Sequence, residues 1–180
     1  LEKRREKAIR KDRQTFCRKK RMASRKIRTM GDEILRKVAK PVTEMNLRNK
    51  MLIKDMFETM YKAEGVGLAA PQVGVLKRIF VMDCSADKSR AMALINPEIL
   101  ETEGEQTGDE GCLSVPGKHA TVTRPMKVTV RALNEQMEEF TMTVEGLEAR
   151  CVLHENDHLD GILYPDKAEG PLIDNEAEEE

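Results

Sequence analysis

From Asn46 to Gly65 the chain reads NLRNKMLIKDMFETMYKAEG, with apolar side chains at Leu52, Ile53, Met56, Phe57 and Met60. That spacing stacks them on one face of a helix, and Gly65 and Gly67 are the expected stop. Further along the period shortens. RIFVMD, MALINPEIL, KVTVRAL and EEFTMTV are short and rich in Val, Ile, Phe and Thr, as strands are. NEQM joins the last two as a hairpin. VEGLEARCVLHENDHLDG then returns to helical spacing, with Gly161 closing it. A helix, several strands and a second helix predict an α+β domain, not a repeating βαβ wind.

The ends of the chain break this pattern. Residues 1–23 have no apolar stripe and cannot bury a face. Residues 1–28 carry a net charge of +11, whereas the remainder carries −12. The expected organisation is therefore a basic extension over 1–23, a working domain over 24–168 and an acidic tail over 169–180. Two readings of the extension stand: a contact with the ribosome or RNA through counterion release, or an appendage translated upstream of a start at Met22. Phe16 is the one aromatic among its charges, which argues against single-strand stacking, and no sequence-specific nucleic-acid partner is expected.

Composition narrows the class further. Eleven Met and no Trp point to a core filled by adaptable side chains. No apolar run approaches the ~18–20 residues of a membrane span, and no secretory signal is visible. The four cysteines, Cys17, Cys84, Cys112 and Cys151, form no C-x-x-C pair. They imply a reducing compartment, with each thiol either buried or functional.

The chemistry concentrates in HENDH. His154 and His158 lie one helical turn apart on one face and can grip one metal ion, with Glu155 beside them as a proton carrier. The protease patterns that extend this motif fail at the third ligand: one needs a His where Tyr164 stands, the other a Glu where Glu178 lies in the acidic tail. Cysteine remains. Cys151 is too far up the helix and reads as core, while Cys84 and Cys17 lack a presenting context. Cys112, in DEGCLSVPG, sits between Gly111 and a Ser-Val-Pro-Gly turn that can present a thiolate. A Cys-His-His set leaves one tetrahedral position open, the mark of a catalytic site, where Glu155 acts as general acid and base.

Three stretches together, GVGLAAPQ at 65–72, EGCLS at 110–114 and HENDH at 154–158, resemble the peptide deformylase family in order and spacing, from about Lys26 to Lys167. The resemblance implies antiparallel sheets packed around the helix that bears the two histidines. It also implies removal of the N-formyl group from the initiator methionine of nascent proteins. The ligands would be Cys112, His154 and His158, holding Fe2+ first and Zn2+, Ni2+ or Co2+ as other occupants. Gln72 and the backbone N–H of Leu113 would steady the oxyanion. Val66, Leu147, Cys151 and the His154 ring would line a pocket for the methionine side chain. Arg150 and His119 would stand at its mouth, and Gly67 would let the peptide backbone come close.

Asp157 is expected to orient a partner, with Arg124 the candidate, for it or for Glu110. Ser114 reads as structural. Leu153 replaces a Gln common in the family, a change expected to tune packing only. The expected partners are N-formyl-Met nascent peptides, with transient ribosome contact and no membrane, in a bacterial cytoplasm rather than an organelle. Two rival readings are a different small amidase or peptidase and a non-catalytic RNA-associated homologue.

Overall fold

A computed structural model describes residues 24–175. The expectations for segment 1–23 and for the acidic residues 176–180 lie outside the described residues. The first long helix, α1, runs Leu47–Lys62, and the Asn46 side chain caps it by accepting from the Asn49 N–H. Its apolar face buries Leu52, Ile53, Met56 and Met60. The stop differs from the expectation. Glu64, not a glycine, takes the left-handed conformation at φ 56°, and Gly67 already opens a strand. Gly65 instead faces the Leu113 side chain, whose movable Cδ1 would lie 2.7 Å from a Cβ there.

Strands β1 (Gly67–Ala69), β2 (Ile79–Met82), β3 (Met92–Glu103), β6 (Lys127–Leu133) and β7 (Glu139–Glu145) form one antiparallel sheet in the order β1-β2-β3-β6-β7. The expected hairpin is β6–β7, in register from Lys127 opposite Glu145 to Leu133 opposite Glu139. Strand β2 explains why RIFVMD shows no polar alternation. Ile79 and Val81 pack with α1, while Phe80 and Met82 pack with the second helix, so both faces are covered. That helix, α2, runs Gly146–Leu159, shorter than expected because Val144 and Glu145 still belong to β7.

The second of the antiparallel sheets that the resemblance implies consists of β4 (Gln106–Cys112), β5 (Val115–Arg124) and β8 (Ile173–Asp174), strands that the periodicity of the chain does not predict. QTGDEGC carries too much glycine and charge to read as a strand. Pairing with β5 holds it nonetheless, over a small core of Val115, Ala120, Val122 and Tyr164. Through β8 and the Asn175 N–H to Gly117 O bond of 2.9 Å, the chain stays attached to this sheet as far as Asn175. β1 ends the larger sheet and β4 ends the smaller one.

Gly161 does close α2, at φ 75°, and a Cβ there would lie 2.6 Å from the backbone oxygen of Arg36. Gly161→Ala should therefore destabilise by at least the ~1–3 kcal/mol of a strained backbone, since the obstacle is main chain. Chemical denaturation with an unchanged midpoint would refute this.

Candidate metal centre

Helix α2 repeats every fourth residue toward the second sheet: Arg150, His154 and His158 share one face. Strand β4 repeats every second residue, so Glu110 and Cys112 share one face as well. Where these faces meet, ligand atoms of Cys112, His154 and His158 all lie within 4.8 Å of one another. Cys112 Sγ is 3.2 Å from His158 Nε2, and the imidazole centroids are 5.0 Å apart. Cys112 is the last residue of β4, and only Leu113 and Ser114 separate it from β5. Its presentation thus comes from a hairpin end; the expected Val-Pro-Gly turn is the start of β5.

Glu110 Oε2 stands 2.9 Å from His154 Nδ1, which leaves the other ring nitrogen to face the cluster. Arg124 grips both Glu110 oxygens, Nε at 2.6 Å and Nη2 at 2.9 Å, and reaches Asp157 Oδ2 at 2.7 Å. Its side chain is only 3% exposed, so these ion pairs are buried rather than solvated. Sequence reasoning had Glu110 only as a possible partner of Arg124 and missed its contact with His154. The available signal was its position two residues before Cys112 on one strand.

The two histidines are shifted in opposite directions. Burial opposes charge on His154, but hydrogen bonding with Cys112 and Glu110 and the nearby Glu155 carboxylate outweigh it and raise it to about 10. Burial, then the charges of His154 and Arg124, hold His158 well below its ordinary value. Burial would raise Glu110, yet its hydrogen bonds from Arg124 and His154 keep it well below the usual carboxylate range. The donor set therefore holds ionised carboxylate around two imidazoles and a thiol, a borderline-soft N/S set that suits Fe, Zn, Co or Ni. His158 Nδ1 and Glu155 Oε2 are buried polar atoms without a protein partner among the described residues. Burial raises Glu155 to about 7, against the pull of the His154 charge.

A cleft of about 520 Å³ opens beside the cluster, lined by Gly67, Gln72, Leu113, Cys151, His154 and Glu155 among others. Gln72 is buried and fixed: its Oε1 accepts from the Ala69 N–H at 2.7 Å, and its Nε2 donates to Ser114 Oγ at 3.1 Å. The same Nε2 lies 3.5 Å from Cys112 Sγ. Ser114 is fully buried, so it supports rather than attacks. Gly67 has a reason beyond peptide approach, because a Cβ there would fall 2.8 Å from Glu155 Cδ and 2.9 Å from Cys151 Sγ.

Val66 and Leu147 are 43% and 56% exposed on the cleft wall, and Cys151 is buried between wall and core, 3.6 Å from Val66 O. Two residues expected at the mouth behave differently. Arg150 lines the cleft, but its guanidinium is tied down on Glu110 Oε1 at 2.7 Å, Val122 O at 3.0 Å and Gln106 O at 3.1 Å. His119 turns to Asn175 Oδ1 at 2.7 Å, and Asn175 stands at the cleft in its place. Leu153 packs half-buried against the core, away from the ligands.

A family model described as polypeptide deformylase matches residues 24–172. A peptide deformylase of Lachnoclostridium phytofermentans is 56% identical over 151 residues, covering 84% of this chain and 93% of that protein. One of Agathobacter rectalis is 57% identical over 153 residues, covering 85% and 95%. The crystal structure of a peptide deformylase from Legionella pneumophila superposes with a TM-score of 0.79 at 51% identity, over 81% of this chain and 86% of that one.

Proposed function

We infer that this chain, which belongs to the polypeptide deformylase family and removes the N-formyl group from the N-terminal methionine of newly made proteins, does so with Cys112, His154 and His158 as metal ligands. The observation that carries this assignment is the convergence of their three ligand atoms within 4.8 Å, from a hairpin and a helix distant in sequence. A divalent ion in that set supplies Lewis acidity to the formyl carbonyl and to the attacking water. Fe2+ is the ion we assign; Zn2+, Ni2+ and Co2+ suit the same donors.

Glu155, raised to about 7 by burial, is matched to proton traffic near neutral pH. It takes a proton from the attacking water and returns it to the amide nitrogen of the methionine as the C–N bond breaks, leaving formate and a free amine. Gln72 Nε2 and the Leu113 N–H donate to the carbonyl oxygen as it gains charge. The buried Ala69 and Ser114 contacts fix the Gln72 amide, so it need not reorganise during the reaction.

Methionine selectivity falls to Val66, Leu147, Cys151 and the His154 ring, which line the cleft. Val66 and Leu147 are exposed apolar side chains that a methionine would cover. Arg150 frames this pocket through Glu110 rather than by touching solvent-borne substrate. Among the described residues no helix is long and apolar enough to cross a membrane. The relatives named above are bacterial, and a bacterial cytoplasm is the setting this reading adopts.

The test is formate release from a formyl-Met tripeptide by iron-loaded protein prepared without oxygen. Release from the formyl peptide, with an acetyl-Met tripeptide left intact, is expected. Equal cleavage of both, or no release at full metal content, would defeat the assignment.

A further inference from the structure

The three ligands belong to two layers, which Arg150 and Gln106 tie together near the start of the helix, away from His158. Helix α2 packs against β1, β2, β6 and β7 of the larger sheet, whereas Cys112 hangs from the smaller one. Something must hold the hairpin and the helix in register for the ligand atoms to converge. The Arg124 guanidinium does so from the last position of β5. Two of its nitrogens fork onto Glu110, two residues before Cys112. The third reaches Asp157, the residue before His158. Asp157 Oδ1 is held in turn by Lys167 Nζ at 2.8 Å. Glu110 passes the constraint to the ring of His154.

We propose that Arg124 is a positioning residue of the metal centre, one planar cation that registers the Cys112 hairpin against the two-histidine helix and so governs how long the metal stays. This rests on the ligand assignment above and deepens it. The geometry requires a fork. Lysine carries the same charge on a compact ammonium and cannot present the rigid planar fork whose Nε and Nη2 meet Glu110 while Nη1 reaches Asp157. Arg150 also binds Glu110, but its other contacts are backbone oxygens at Gln106 and Val122, so it anchors the helix to the strands without reaching Asp157. When the partners that orient metal ligands are lost, affinity drops by about 10–100-fold, and here the drop should lie in the release rate.

The experiment uses Co2+-loaded full-length protein mixed with excess chelator, with the cobalt absorption bands followed in time. Wild type, Arg124→Lys and Asp157→Asn are compared, and Cys112→Ala serves as the ligand control. Arg124→Lys should release metal roughly 10–100-fold faster, and Asp157→Asn should shift the rate the same way by less. KM for a formyl-Met peptide should not change in either. A merely structural Arg124 would lower the melting temperature of metal-free protein and leave release from folded protein at the wild-type rate. That result would overturn the proposal. Should Arg124→Lys fail to fold, Asp157→Asn, which keeps the side-chain shape, decides alone: release at the wild-type rate overturns it. Wild-type protein that takes up no cobalt would overturn the ligand assignment itself, an outcome read before any variant is compared.

Discussion

Glu155→Gln is expected to lower formate release by about 10²–10⁴-fold, the usual worth of a positioned general acid–base, while metal content stays at that of wild type. Gln keeps the size of the side chain, and Glu155 is not among the three converging ligands. The variant thus separates proton transfer from metal binding. A second consequence concerns metal-free protein. Folding raises this carboxyl from its ordinary 4.5 to about 7, chiefly by burial. The folded state therefore binds the proton more tightly than the unfolded state does. The associated stability is fully present below about pH 4.5 and is lost as pH rises through 7. Metal-free Glu155→Gln should consequently gain on metal-free wild type as pH rises across that window, by about 3 kcal/mol at most. Parallel stability curves for the two proteins between about pH 5 and 8 would show that Glu155 is not held this way.

Cys112→Ala should remove both the metal and the turnover. The thiol is one of three donors from an N/S set, and the two that remain sit on one helix without the strand's contribution. Folding should survive, because Cys112 ends a strand at a half-buried position and lies at the margin of the small Val115, Ala120, Val122 and Tyr164 core. Metal analysis after dialysis, with circular dichroism as the folding control, checks it. A variant that keeps one equivalent of metal and most of its activity would remove Cys112 from the centre.

How much of this was legible in the sequence depends on the distance over which each feature is encoded. The α1 stripe, the β6–β7 hairpin and the two-histidine face of α2 are local periodicities, and the structure follows them. Strands β4 and β5 are not local. Their residues form strands because each supplies the other's hydrogen bonds, with Gly108, Gly111 and Gly117 weakening any single-strand signal. The left-handed residue past the end of α1 is Glu64 rather than a glycine, a conformation that no residue-type signal announces. The site divides the same way. HENDH and EGCLS are short motifs that show their residue types openly. Arg124 could be named as a partner for Asp157 or for Glu110, but its grip on both, 33 and 14 residues away, and the turn of Glu110 to His154 exist only after the hairpin and helix meet.

The cleft lies between residues of β1 and β4, each an end strand of its own sheet. Unpaired strand edges are hazards that proteins ordinarily cover or charge. Here two of them border one opening, and β1 is only three residues long. A peptide laid along such edges would be read through amide and carbonyl groups, which every residue carries alike. Recognition of that kind ignores the vocabulary of the message and attends to its first letter. One catalyst of this build can therefore serve a whole proteome, since the formyl group and the methionine that bears it are what all its clients share.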